Sequence, residues 1–165
     1  MRSRLSEYYK ISQNNVHAYV LGEHGDSSFI PWSLANISNV YIDDCPKSFS
    51  TGSTILPELD REEILEHVRK SGGRVIERKG ATFYAVSISV CHICKCLLSG
   101  IDTTMTISTM MHGEYGIDDV CLSTLSVVGN KGIRSKVMLP LSDDEISKLR
   151  NSAYKLKEII NATVI

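Results

Sequence analysis

Residues 104–139 read TMTISTMMHGEYGIDDVCLSTLSVVGNKGIRSKVML, and this stretch decides the fold class. Within it Thr104–Met111, Val120–Val128 and Ile133–Leu139 are rich in β-branched residues, which suit the pleated, half-buried surface of a sheet. Gly129-Asn130-Lys131-Gly132 joins the last two segments with residues that tolerate tight-turn backbone angles, so an antiparallel hairpin is expected there. Just beyond, Ser142-Asp143-Asp144-Glu145 forms a capping box whose acidic side chains meet the positive end of a helix dipole. Ile146, Leu149, Ala153, Leu156 and Ile160 then recur at spacings of three and four, which predicts a C-terminal helix with one apolar face. The class is α+β with a mainly antiparallel sheet packed by helices.

Upstream the signals are shorter. Met1–Lys10 is polar and helix-compatible, with Leu5 and Tyr8 or Tyr9 on one face. Val16–Leu21 is apolar enough for a partly buried strand. Residues 36–59 are dense in Asn, Ser, Pro and Gly, including Cys45-Pro46 and Thr51-Gly52-Ser53, and read as loop with short ordered pieces. Asp60 followed by Glu63 opens a helix with Ile64, Leu65 and Val68 inward. By local rules Gly72-Gly73 stops it, and a second helix runs from Ala81 to about Leu98.

At 165 residues the whole chain, 1–165, is expected to be one domain with a core of its own. A formal charge of −1 with both signs interspersed leaves no basic footprint for nucleic acid. No apolar run reaches membrane-span length, and the N-terminus carries no signal-peptide core. Five irregularly spaced cysteines suggest reduced thiols, so a cytoplasmic location is expected. There is no GxGxxG fingerprint or Walker loop, hence no nucleotide cradle within these residues.

Residues 20–26, Val-Leu-Gly-Glu-His-Gly-Asp, place His24 between glycines where an apolar run turns into a loop. An imidazole there can accept and donate a proton, and flanking glycines let a ligand approach closely. A hydrogen-bonded turn histidine is the plainer alternative. Cys91-His92-Ile93-Cys94-Lys95-Cys96 invites a zinc or redox reading, but Val86, Val90, Ile93 and Leu97 make an apolar stripe on the same helix. Core packing, with Cys91 and Cys94 partly inward, is therefore expected, and no metal site. His67, His92 and His112 lack a local partner motif, and residues 74–79 read as a solvated basic face. Arg2 and His17 would suit a phosphate or sulfate if the fold brought them together.

The segment Asn15–Ser27 resembles the active-site segment of L-lactate dehydrogenases. Lys79-Gly80-Ala81-Thr82 resembles that family's KGAT segment, and Gly113–Val120 and Pro140–Glu145 match further stretches in the family's order. The resemblance spans nearly the whole chain but only the C-terminal, substrate-binding half of the family. It implies that His24 is the general acid–base for pyruvate and lactate, and that Thr82 lies beside the substrate methyl. It puts Val86 near the nicotinamide of NAD, where isoleucine is usual, and makes Arg2 and His17 ligands for fructose 1,6-bisphosphate in allosteric members. It also implies a homo-oligomer, tetrameric in the family, and a helix that continues through Gly72-Gly73 with a kink. The Rossmann domain, the aspartate that orients the histidine, the arginine that clamps the carboxylate and the mobile loop over the site would all lie outside these residues. The isolated chain is therefore expected to be inert. Other readings are a malate-type 2-hydroxyacid dehydrogenase domain, a non-catalytic module for oligomerisation or anion binding, and a zinc or redox module on Cys91, Cys94 and Cys96.

Overall fold

The computed structural model describes residues 1–45 and 58–163. Helix α1 (Arg2–Tyr9) leads through a 3-10 turn to a small antiparallel sheet of β1 (Val16–His17), β2 (Asn36–Ile37) and β3 (Val40–Tyr41). Helices α2 (Arg61–Lys79) and α3 (Phe83–Leu98) follow. The larger antiparallel sheet, ordered β4 (Thr103–His112), β5 (Asp118–Gly129) and β6 (Gly132–Lys136), precedes the long helix α4 (Asp143–Thr163). This is the α+β arrangement expected of the sequence. The β5–β6 hairpin closes with Gly129 opposite Gly132, leaving Asn130 and Lys131 as its turn.

Two apolar clusters organise the chain. Leu5 and Tyr9 of α1, Val16, Ile37 and Ile64 meet in the first, which ties α1 and the small sheet to the start of α2. Leu21, Phe29, Met111, Val120, Leu122, Leu149 and Ala153 form the second. It joins β4, β5, α4 and the loop carrying His24, so that loop rests on a buried core.

Helix ends follow local chemistry. The Asp60 carboxylate accepts from the Glu63 amide at 2.8 Å. Ser142 and Glu145 cap α4 reciprocally, Glu145 N to Ser142 Oγ at 3.3 Å and Ser142 N to Glu145 Oε2 at 2.9 Å. Glu145 also accepts from Ser33 N and Oγ, which pins the start of α4 to the loop after His24. Burial pushes its carboxyl up, but the Ser33 and Ser142 hydrogen bonds outweigh that and hold it lowered.

Three sequence expectations are corrected. Helix α2 runs unbroken through Gly72-Gly73 and ends at Gly80, which adopts φ +78°. Both internal glycines face open space, and their cost of about 1 kcal/mol each is offset, to the same order, by the Asp60 cap and the basic last turn, Arg78 and Lys79. The strand predicted over Val16–Leu21 is only Val16–His17, because Leu21 and Gly22 bond other partners, Phe29 and Ser123. The apolar stripe of α3 is not a core face: none of its residues is buried, and Cys91 and Cys94 are exposed. Helical periodicity marked an apolar face, but no described segment of this chain covers it. The expected loop signals at Pro46 and Thr51-Gly52-Ser53 lie outside the described residues.

Glu114, in the turn between β4 and β5, accepts from Lys136 Nζ at 2.7 Å and from the His112 amide at 2.6 Å. The Lys136 hydrogen bond first, then the amide, hold its carboxyl down at about 2. A depressed carboxylate stabilises the fold above its unfolded value of about 4.3, and that contribution is lost as pH falls towards 2. Thermal melts should show the midpoint falling over this window, and Glu114→Gln should remove part of the fall. An unchanged pH slope in the variant would contradict this assignment.

Candidate active site

The His24 loop is built by backbone pairing on one side and a side-chain brace on the other. Leu21 and Phe29 exchange hydrogen bonds, Leu21 N to Phe29 O at 2.9 Å and Phe29 N to Leu21 O at 3.0 Å. Gly22 and Ser123 of β5 do the same at 3.1 and 2.8 Å. Gly22 adopts φ +97°, a left-handed conformation that glycine takes without strain, and it passes directly over Ser152 of α4. The Glu23 amide donates to Ser152 Oγ at 2.7 Å. The Glu23 carboxylate accepts from Ser27 N at 2.9 Å and from Ser27 Oγ at 2.5 Å. These bonds, the Ser27 hydroxyl foremost, hold the Glu23 carboxyl below the usual range, and Lys155 adds to the effect.

His24 stands exposed at the tip, followed by exposed Gly25 and Asp26, while Ser27, Ser28 and Phe29 are buried. The loop is thus anchored at both ends and presents its imidazole outward. Such a side chain can exchange a proton with a ligand without first being uncovered.

Thr82 and Val86 occupy the start of α3. Thr82 is its N-cap residue, without a side-chain cap, and its carbonyl accepts the Val86 amide at 3.4 Å. Val86 is 55% exposed on the first turn. The two therefore lie one helical turn apart.

Arg2 and His17 share one groove. It measures about 920 Å³ and lies between the start of the chain, α3 and the larger sheet. Arg2 is fixed at its rim by a 2.8 Å bond from Nη2 to the Gln13 carbonyl. Ser89 and His92 face the same groove from α3, a neighbourhood that no local motif foretold. Neither His24, Thr82 nor Val86 lines it.

Of the cysteine cluster, Cys91 and Cys94 are exposed, and Cys96 Sγ lies 3.7 Å from His92 Nε2. Among the described residues no three His, Cys, Asp or Glu side chains are grouped to hold a metal ion. Nor is any described helix long and apolar enough to cross a membrane. Sequence reasoning missed Ser27, Ser123 and Ser152, the residues that brace the loop. Ser152 left one trace: it stands three residues after Leu149, a polar residue in a slot of the helix's apolar stripe.

Fold and site together define an α+β domain that carries an exposed histidine on a loop braced by β5 and the C-terminal helix. The chain belongs to the lactate/malate dehydrogenase family, matching the family's alpha/beta C-terminal domain over residues 1–164. It is 39% identical over 163 residues to an L-lactate dehydrogenase of Acetivibrio thermocellus, covering 96% of this chain and 49% of that enzyme. It is 38% identical over 163 residues to one of Thermoanaerobacterium saccharolyticum, covering 96% and 50%. Among solved structures, a lactate dehydrogenase from a Medee basin deep-sea metagenome library superimposes with a TM-score of 0.89 at 33% identity, covering 97% of this chain and 50% of that one. An L-lactate dehydrogenase from Clostridium thermocellum gives 0.85 at 34% identity, covering 99% and 52%. The chain spans about half the length of the curated relatives it matches.

Proposed function

We propose that this chain is the substrate-binding half of an NAD-linked L-lactate dehydrogenase, with His24 as its general acid–base. The observation that carries the reading is the exposed imidazole on a loop anchored at Leu21, Gly22 and Glu23, in a chain whose relatives are named L-lactate dehydrogenases. In the reducing direction His24 gives its proton to the pyruvate carbonyl oxygen. In the oxidising direction it takes the proton of the lactate hydroxyl. Thr82 lies beside the substrate methyl and disfavours larger oxoacids. NAD, when bound, supplies or accepts the hydride. Its nicotinamide end suits Val86, an exposed apolar side chain on the first turn of α3. Free thiols at all five cysteines accord with a cytoplasmic setting.

The 165 residues alone are expected to leave NADH untouched in the presence of pyruvate, since the resemblance puts the cofactor cradle and the carboxylate clamp in other residues. Pyruvate-dependent NADH oxidation by the purified chain would overturn that expectation. Fused behind the nucleotide-binding half of the Acetivibrio thermocellus relative, the chain should reduce pyruvate faster than oxaloacetate. The reverse preference would favour the malate-type alternative.

A second reading, an anion-binding and oligomer-forming module, is favoured by the groove that joins Arg2 and His17 and by the uncovered apolar side chains of Ile88, Leu98 and Ile101. Its ligand class is a sugar bisphosphate. Calorimetry with fructose 1,6-bisphosphate should show affinity falling about ten- to a hundredfold in Arg2→Ala, the loss of one charge-assisted contact of about 1.5–3 kcal/mol. Equal heats from the two proteins would remove the anion site.

A further inference from the structure

We propose that Ser152 of α4 is a positioning residue for His24, acting by hydrogen bonds to both sides of the histidine loop. The proposal rests on His24 being the acid–base group. Ser152 is fully buried, 129 residues from Glu23, and its Oγ accepts the Glu23 amide proton at 2.7 Å. The same oxygen lies 2.9 Å from Ser27 Oγ, three residues beyond His24. Ser27 has one hydroxyl hydrogen, which is shared between Ser152 Oγ and the Glu23 carboxylate at 2.5 Å. In the Ser152–Ser27 contact Ser27 is the donor, so Ser152 Oγ accepts from both sides of the loop. The contacts close into a ring: the Glu23 N–H and the Ser27 O–H both point to Ser152 Oγ, and the Ser27 O–H also reaches the Glu23 carboxylate. His24 lies on the chain between the two ring members, Glu23 and Ser27.

The scaffold behind Ser152 makes this ring stiff. Leu149 and Ala153, its neighbours on α4, are buried in the cluster that also holds Leu21 and Phe29 at the feet of the loop. A methyl group on Gly22 would sit 2.7 Å from Ser152 Oγ, so the loop backbone lies directly against this hydroxyl. Packing alone would be met by alanine. What serine adds is an acceptor for the Glu23 amide where Gly22, Ser27 and Ser152 are all buried and water has little room to replace it. Proton transfer depends on placing the imidazole within a fraction of an ångström, so the brace bears on catalysis more than on folding.

The test is amide hydrogen exchange on the 165-residue chain, comparing Ser152→Ala with Ala153→Gly, a neighbouring change on the same helix. After correction for the global stability of each variant, Ser152→Ala should speed exchange at Glu23 at least tenfold. Ala153→Gly should leave Glu23 at its corrected wild-type rate. In the fused enzyme Ser152→Ala should lower kcat about tenfold and leave KM for pyruvate unchanged. Unchanged protection of Glu23 in Ser152→Ala, equal release in Ala153→Gly, or an unchanged kcat would each overturn the positioning role. The exchange measurement involves no turnover, so its outcome is separate from the fate of the acid–base reading, which the His24→Gln rate decides.

Discussion

His24→Gln in the fused enzyme should lower kcat for pyruvate by about 10²–10⁴-fold, the usual contribution of a positioned acid–base group. Glutamine keeps the size and a hydrogen-bond donor but gives up no proton at neutral pH. The loss should therefore fall on kcat, with KM changed little, because the proton moves only in the transition state. The fold should be untouched. His24 is exposed, and the bonds that shape its loop belong to Leu21, Gly22, Glu23 and Ser27. Steady-state kinetics beside a thermal melt separate the two effects, and a variant with equal loss in kcat and stability would speak against the assignment.

Gly22→Ala should carry the largest stability cost near the site, about 2–5 kcal/mol. Two penalties combine. The backbone at φ +97° is strained for any residue with a Cβ, and that Cβ would stand 2.7 Å from Ser152 Oγ and 3.3 Å from its Cβ. The loop has little freedom to retreat, since Gly22 pairs with Ser123 on its other side. Urea unfolding of Gly22→Ala measures the cost. The double variant Gly22→Ala with Ser152→Ala should lose less than the sum of the singles, because removing the hydroxyl relieves the overlap. Strict additivity, or a cost below about 1 kcal/mol for Gly22→Ala, would contradict the packing described here.

Local chemistry made the larger sheet and the last helix legible. The β-branched runs, the Gly129–Gly132 turn and the Ser142–Glu145 box are each complete within a few residues, and each formed where it was read, although the last strand, expected to reach Leu139, ends at Lys136. Legibility failed where the outcome depends on a partner distant in sequence. The spacing of Val86, Val90, Ile93 and Leu97 says that α3 has an apolar face, but not what lies against it. The Gly72-Gly73 pair weakens a helix without being able to stop one that is well capped at Asp60 and finished at Gly80. The run Val16–Leu21 has strand character, yet its pairing was decided by Phe29 and Ser123. The exposed loop of His24 was legible because its motif is contiguous. Its brace was not, because Glu23 and Ser152 meet only through the packing of α4 on β5.

Pyruvate-dependent oxidation of NADH by the fused enzyme, measured with His24 in place, tests the central claim most directly. Turnover that saturates with pyruvate is the predicted result. A folded fusion that binds NADH and oxidises none of it with pyruvate would contradict the account.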